Sequence, residues 1–234
     1  MVDFTGGTWR SLIDGSEVGA IPDSAVYYWL AESFADPWLD EIVEREMSIS
    51  GLTATTVDGR DAVAGDGSDY GEANISDFES QLNGPFAVEF ALATTDDNME
   101  MFGNRTSDGR FVIGHGDTAF SNGSAGDGTV INISGGGSSH RIQASSQLND
   151  GSLTSVIINI PDISDATQSQ ILHDDQNVTT NVLVNDNPDT SAVSLAEFLF
   201  WGFNNLDNDP TPDLNGDIVG IAVHNDTIAE SSLI

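Results

Sequence analysis

The chemistry open to this chain is narrow. It contains no cysteine, which removes disulfides, thiolate metal sites and a cysteine nucleophile together. The histidines His115, His140, His173 and His224 are scattered, without the i, i+4 pair or tight cluster that a zinc site needs. His224 falls inside an alternating apolar pattern, so it reads as a satisfied strand histidine. Carboxylates are plentiful. The run Asp40-Glu41-Ile42-Val43-Glu44-Arg45-Glu46 brings several together, and a glycosidase needs two of them facing one cleft, about 5 to 9 Å apart. With 38 acidic residues in the chain, chance proximity is expected, and the run reads as solvated surface charge. Serine nucleophile elbows, phosphate-binding glycine loops and nucleotide fingerprints are missing. We expect no enzyme.

Binding elements remain. Of the tryptophans Trp9, Trp29, Trp38 and Trp201, Trp29 and Trp201 lie in strand patterns and belong to a core. Trp38, in Asp36-Pro37-Trp38-Leu39, is expected in a loop at the surface, where a flat aromatic face could bind a sugar. The first two dozen residues space Gly6, Gly7, Gly15 and Gly19 among Trp9, Leu12, Ile13 and Ile21. Such a segment is too short for its own core, and we expect a docking arm over residues 1–24 with Trp9, Arg10 and Ile13 as assembly contacts. Exposed aromatics and arginine are favoured at small contact sites.

Charge narrows the partners further. Six positive residues against 38 negative ones give a formal charge of −32, yet 38% of the chain is hydrophobic, too apolar for a disordered acidic tail. Every cation is an arginine (Arg10, Arg45, Arg60, Arg105, Arg110 and Arg141), and aspartate outnumbers glutamate 27 to 11. Self-repulsion at this density is relieved in brine, where the screening length falls to roughly 3 Å at about 1 M salt. The composition therefore points to a salt-saturated setting. Nucleic acid is excluded as a partner, because phosphate neutralisation needs clustered cations; an anionic membrane surface is disfavoured for the same reason. The opening residues have neither the basic start nor the apolar stretch of a secretory signal. The apolar windows at 195–203 and 218–223 fall well short of the roughly 20 residues of a membrane span, so no membrane insertion is expected.

The elements that must carry these residues are strands. From Val26 onward apolar and polar residues alternate with period two between turn signals, the pattern of half-buried antiparallel strands. Phe86, Val88, Phe90 and Leu92 share one face of the clearest strand, 86–93. Further strands are expected at 99–102, 110–113, 129–133, 140–144, 153–160, 179–184, 195–201 and 217–224. Turn pairs such as Asp58-Gly59, Asn83-Gly84, Asp108-Gly109 and Asn215-Gly216 supply positive φ between them. Single helical turns are expected at 76–82, with Ser76 or Asp77 as its cap, and at 226–233, and mobile glycine-serine loops at 121–128 and 134–139. Many short strands without βαβ alternation predict an all-β, antiparallel β-sandwich jelly roll with short helical turns, as a single domain over residues 25–234 behind the N-terminal arm.

Several segments resemble the laminin-G-like, concanavalin-A-like jelly-roll family in their order. Tyr27-Tyr28-Trp29-Leu30 is similar to its opening strand, and Met47-Ser48-Ile49-Ser50-Gly51-Leu52 to its second. Gly65-Asp66-Gly67-Ser68-Asp69-Tyr70 is similar to its aspartate-rich turn, and residues 75–82 to the helical turn before its long strand. Val182-Leu183-Val184-Asn185, the stretch Leu214 to His224 and the tail Ile228 to Leu233 resemble its closing segments. Gly220, Ile221 and His224 depart from that pattern. The resemblance implies a lectin or adhesion fold, often with calcium at the rim, for which Asp207, Asp209 and Asp213 in a loop bent by two prolines are the candidate ligands. The spacing is not that of an EF-hand. The N-terminal segment resembles the leader of structural proteins from haloarchaeal tailed viruses. Together these imply a virion surface protein, a capsid turret, decoration or fibre head, made in the host cytoplasm. Its expected partners are other virion proteins, sister subunits in a homo-oligomer, and a host surface glycan or surface-layer protein. The alternatives are a non-viral haloarchaeal carbohydrate-binding module and a glycan hydrolase.

Overall fold

The computed structural model describes residues 21–96, 99–116, 128–144, 146–205, 209–212 and 214–233. Within them the strands are β1 (Ala25–Leu30), β2 (Trp38–Leu39), β3 (Glu46–Ser50), β4 (Thr53–Val57), β5 (Arg60–Asp66), β6 (Tyr70–Ala73), β7 (Phe86–Thr94), β8 (Met99–Arg105), β9 (Gly109–His115), β10 (Thr129–Gly135), β11 (Ser138–Ala144), β12 (Thr154–Ile160), β13 (Gln170–His173), β14 (Gln176–Asn177), β15 (Thr179–Asn185), β16 (Phe198–Phe200), β17 (Gly202–Asn205), β18 (Asp209–Pro212) and β19 (Asn215–His224). Short 3-10 turns at Ala31–Ser33, Ser76–Asn83, Ala166–Gln168 and Thr190–Ala192 join some of them. One sheet runs β14-β13-β12-β7-β19-β5-β4, with β1 beside the second half of β19; the other runs β15-β11-β10-β9-β8-β16-β6-β3-β2, with β17 and β18 attached at β8. All pairings are antiparallel except the short contact of β17 with β8. The architecture is the expected β-sandwich.

Period-two alternation builds the core. In β7, Phe86, Val88, Phe90 and Leu92 enter the space between the sheets, and burying each such side chain contributes about 1.5–3 kcal/mol. Aromatic rings bridge the layers. Trp29 of β1 meets Phe200 of β16 at 5.4 Å, Phe200 meets Phe102 of β8 at 5.8 Å, and Phe102 meets Phe90 of β7 at 4.9 Å between centroids. Trp29 and Trp201 are core residues as expected. The Asp58-Gly59 turn, with φ of 49° and 78°, closes the β4–β5 hairpin at the predicted place.

Four expectations are corrected. Residues 134–139 form no mobile loop: Gly136 and Gly137, with φ of 61° and 85°, make a two-residue turn that pairs Gly135 with Ser138. Asn215-Gly216 is no turn, because both residues pair with β5 at the start of β19. The C-terminal stretch is not helical: backbone donors in it are taken by side chains of the sheet and its turns, with Ile228 N–H donating to Asn159 Oδ1 of β12 (2.9 Å) and Ser231 N–H to Asp175 Oδ1 in the β13–β14 turn (2.8 Å). Strand β7 is therefore buried on both faces, since Ala87, Glu89, Ala91 and Ala93 are also inaccessible. The helical turn at Ser76–Asn83 forms, but neither Ser76 nor Asp77 caps it; Ile75 occupies the cap position, and Asn74 Oδ1 accepts from Ser76 N–H at 3.1 Å.

Candidate binding site

Two neighbouring hairpins at one end of the β15–β2 sheet build the site. Arg105 closes β8 and Arg110 follows the start of β9, and the register sets them directly opposite each other. The turn between them is fixed by Thr106, whose Oγ1 accepts from Gly109 N–H at 3.0 Å. Arg110 stands beside Ser134 of β10, and Ser134 beside Ser139 of β11. Two residues further along, Val112, Asn132 and Arg141 form the next row, on the same face because side chains repeat every second residue. The opposite face is closed at this end: a Cβ on Gly109 would lie 2.3 Å from Ala192 O, and one on Gly135 only 2.1 Å from Asp189 O. The strap over residues 189–192 thus fills the inner side, and Arg105, Arg110, Ser134 and Ser139 face outward.

Between the hairpins lies a cleft of about 340 Å³, lined by these four residues with Thr106, Asp108 and others. Its chemistry is polar. Hydroxyls and two guanidiniums line it together with a single carboxylate, Asp108, and its lining includes no aromatic ring. Burial disfavours the charged form of Arg110, and Arg105 adds to this; Glu100 opposes both. Arg141 is lowered likewise, by burial and then by Arg110. Among the described residues neither Arg105 nor Arg110 forms an ion pair. Arg45 behaves differently, meeting Asp77 at 2.8 Å with its guanidinium 5.8 Å from the Tyr27 ring. In the sequence the six scattered arginines speak only against nucleic acid. The overlooked signal is the Thr106-Ser107-Asp108-Gly109 turn, which places its flanking residues across from each other.

A second constellation joins Ser24, His224 and Glu89. Ser24 Oγ lies 3.1 Å from His224 Nδ1, and His224 Nε2 lies 3.2 Å from Glu89 Oε2. The order is that of a serine hydrolase relay, but both His224 and Glu89 are fully buried, and the carboxylate is committed elsewhere. Glu89 accepts from the hydroxyls of Ser231 and Ser232 and from the N–H groups of Ser232 and Leu233. Burial pushes this carboxyl up, and the donors from His224, Ser232 and Ser231 outweigh it and hold it below the ordinary value. The constellation is a clamp on the tail. His224 is the satisfied strand histidine expected.

The sequence candidates fall elsewhere. Trp38 is not a surface platform: it lies in β2, is completely buried, donates from Nε1 to Leu30 O at 3.0 Å and packs against Phe34 and Trp201. Asp40 is no solvated charge either, since it is buried and accepts the N–H groups of Ile42, Val43 and Arg45. Glu41, Glu44 and Glu46 are exposed. Trp9, Arg10 and Ile13 lie outside the described residues, as do Asp207, Asp213 and the side chain of Asp209, whose backbone pairs with Asn205. Among the described residues no group of three or more histidine or acidic side chains could hold a metal ion, and no helix is long and apolar enough to cross a membrane.

No protein family matches the chain, and no curated sequence does. Solved structures share its fold. Domain 4 of AbnA, an extracellular arabinanase from Geobacillus stearothermophilus in complex with arabinotriose, superposes with a TM-score of 0.60 at 12% identity, over 89% of this chain and 95% of that one. Botulinum neurotoxin type C, whose cell entry depends on interaction with two ganglioside molecules, gives 0.60 at 11% over 88% of this chain and 49% of that one. Trypanosoma rangeli sialidase gives 0.58 at 12% over 92% of this chain and 33% of that one. At these identities the likeness shows the fold alone, a β-sandwich.

Proposed function

We propose that this protein is a noncatalytic carbohydrate-recognition domain whose glycan lies in the arginine cleft. One observation carries the reading: two hairpin ends present hydroxyls and guanidiniums in a single outward cleft that holds only one carboxylate. Hydroxyl-rich ligands are met by such convergent polar groups, and one carboxylate does not make the pair that glycosidic cleavage requires. The neighbours described with arabinotriose and gangliosides support a glycan as the ligand class. Screening the chain in about 2 M KCl against an oligosaccharide array, with Ser139→Trp as the comparison, tests it. Binding by the native chain should vanish in the variant, whose indole fills the cleft, with no change in melting temperature. Equal binding by the two, or none by the native chain, overturns the reading.

The setting we infer is brine, from the charge of −32 and the absence of lysine. Display on a haloarchaeal virion, anchored through residues 1–24 in many copies, fits that setting, since multivalency turns weak sugar contacts into useful avidity. Genes for portal and capsid proteins beside this one would support the virion, and label on purified particles by an antibody to residues 25–234 would locate it.

A further inference from the structure

Resting on the glycan reading of the cleft, we infer that its ligand is an anionic glycan, with a carboxylate or sulfate ester of the sugar held by Arg105 and Arg110. Like charges directly opposite each other on paired strands are destabilising, and this pair is set face to face by register. The chain has 38 carboxylates to relieve it, yet none pairs with either guanidinium among the described residues. The charged neighbours are a third cation, Arg141, whose positive form Arg110 disfavours, and the acidic Glu100 and Asp108. An anion arriving from outside is the missing counter-charge.

The geometry favours a sugar-borne anion over other sources. Nucleic acid and an anionic membrane present arrays of charge that need many clustered cations, whereas the chain has six and the cleft holds two, enough for one anionic group on a sugar. A neutral sugar is usually gripped by stacking on an aromatic face, and the cleft lining has none. Thr106, Ser134 and Ser139 instead offer hydroxyls beside the guanidiniums, matching a ligand that carries both hydroxyls and a charge. Brine sharpens the argument: when screening acts within roughly 3 Å, long-range attraction contributes little and recognition must come from contact. The planar guanidinium fork supplies such contact through two parallel hydrogen bonds to one anionic group.

Calorimetric titration of the full chain in about 2 M KCl tests this with three probes: oligogalacturonate, the same oligomer as its neutral methyl ester, and a sulfated chondroitin oligosaccharide. We expect one or both acidic probes to bind at least tenfold more tightly than the neutral ester, and the better of them identifies carboxylate or sulfate as the group read. Arg110→Gln should lose at least tenfold for the acidic probe with no drop in melting temperature, since it also relieves the like-charge pair, and Arg110→Lys, which keeps charge without the fork, should lose most of the same affinity. Equal binding of acidic and neutral probes by the native chain overturns the anion inference and leaves the glycan reading standing. Failure of every saccharide, including those of the array, overturns both. Full displacement by sodium acetate or sulfate at equal concentration also overturns the inference, since the cleft would then read a bare anion.

Discussion

Glu89 is a charge placed where a sheet face is sealed. Its carboxylate survives burial because His224 and the tail donors Ser231, Ser232 and Leu233 converge on it, and removing one side of such an arrangement leaves the other unpaired. Glu89→Gln is therefore expected to cost about 3 kcal/mol, read as a lowered denaturation midpoint. The pH dependence follows from the same donors. A carboxyl held below 4.5 in the folded chain contributes stability that is complete above that value and lost as pH falls through the lower folded one. His173 acts over a higher window. Burial first, and then the neighbouring His115, push its pKa down from 6.5 to about 4, so it remains neutral in the fold while the unfolded chain takes up a proton. Stability should fall between pH 6.5 and about 4, by up to about 3 kcal/mol at 1.36 kcal/mol per pH unit. His173→Gln should flatten that part of the profile in chemical denaturation at fixed high salt.

At the scale of elements, the tail and β19 depend on each other. Gly220 follows a bulge in the pairing of β19 with β7, and a Cβ there would lie 2.7 Å from Leu233 Cδ2 and 3.1 Å from Trp29 O. Gly220→Val should displace Leu233 and loosen the tail, seen as faster proteolysis after residue 227 and a loss of about 1–3 kcal/mol. Packing thus accounts for a glycine at this position. Long strands such as β7 and β12 were legible in the sequence because one periodic segment suffices to reveal them. What lay beyond reach depended on distant partners. The expected strand at 195–201 shrinks to β16: Leu195 N–H is taken by Glu79 Oε1 at 2.7 Å, and the strand ends where Trp201 turns to a φ of 65°, its Nε1 donating to Gly216 O at 3.3 Å. Trp38 sits beside an Asp-Pro turn and looked exposed, yet Phe34 and Trp201 close over it. The arginine pair was half legible: the turn between Arg105 and Arg110 gives their opposition, but only the strap packed under Gly109 and Gly135 shows that they face outward.

For the whole molecule the deciding quantity is the charge of −32, because it acts on every conformation that brings carboxylates together. The compact chain concentrates that charge and the unfolded one disperses it, so screening should stabilise the fold more than the unfolded ensemble. Raising KCl from about 0.05 M to about 2 M is expected to lift the melting temperature by about 10 °C, the equivalent of about 3 kcal/mol for a chain of this size. The shape of the curve separates screening from the other action of salt. The screening length drops from about 30 Å at 0.01 M to about 10 Å at 0.1 M and 3 Å at 1 M, so a gain from relieved repulsion accrues mostly below about 1 M. A gain from solute exclusion at the surface keeps rising with concentration and is larger for sulfate than for chloride. We expect the first shape in KCl, with most of the rise complete by about 1 M and little difference from NaCl. A melting temperature that stays within about 2 °C across the range, or a strictly linear rise, would mean that the carboxylates are tolerated in dilute buffer and that brine is not their cause.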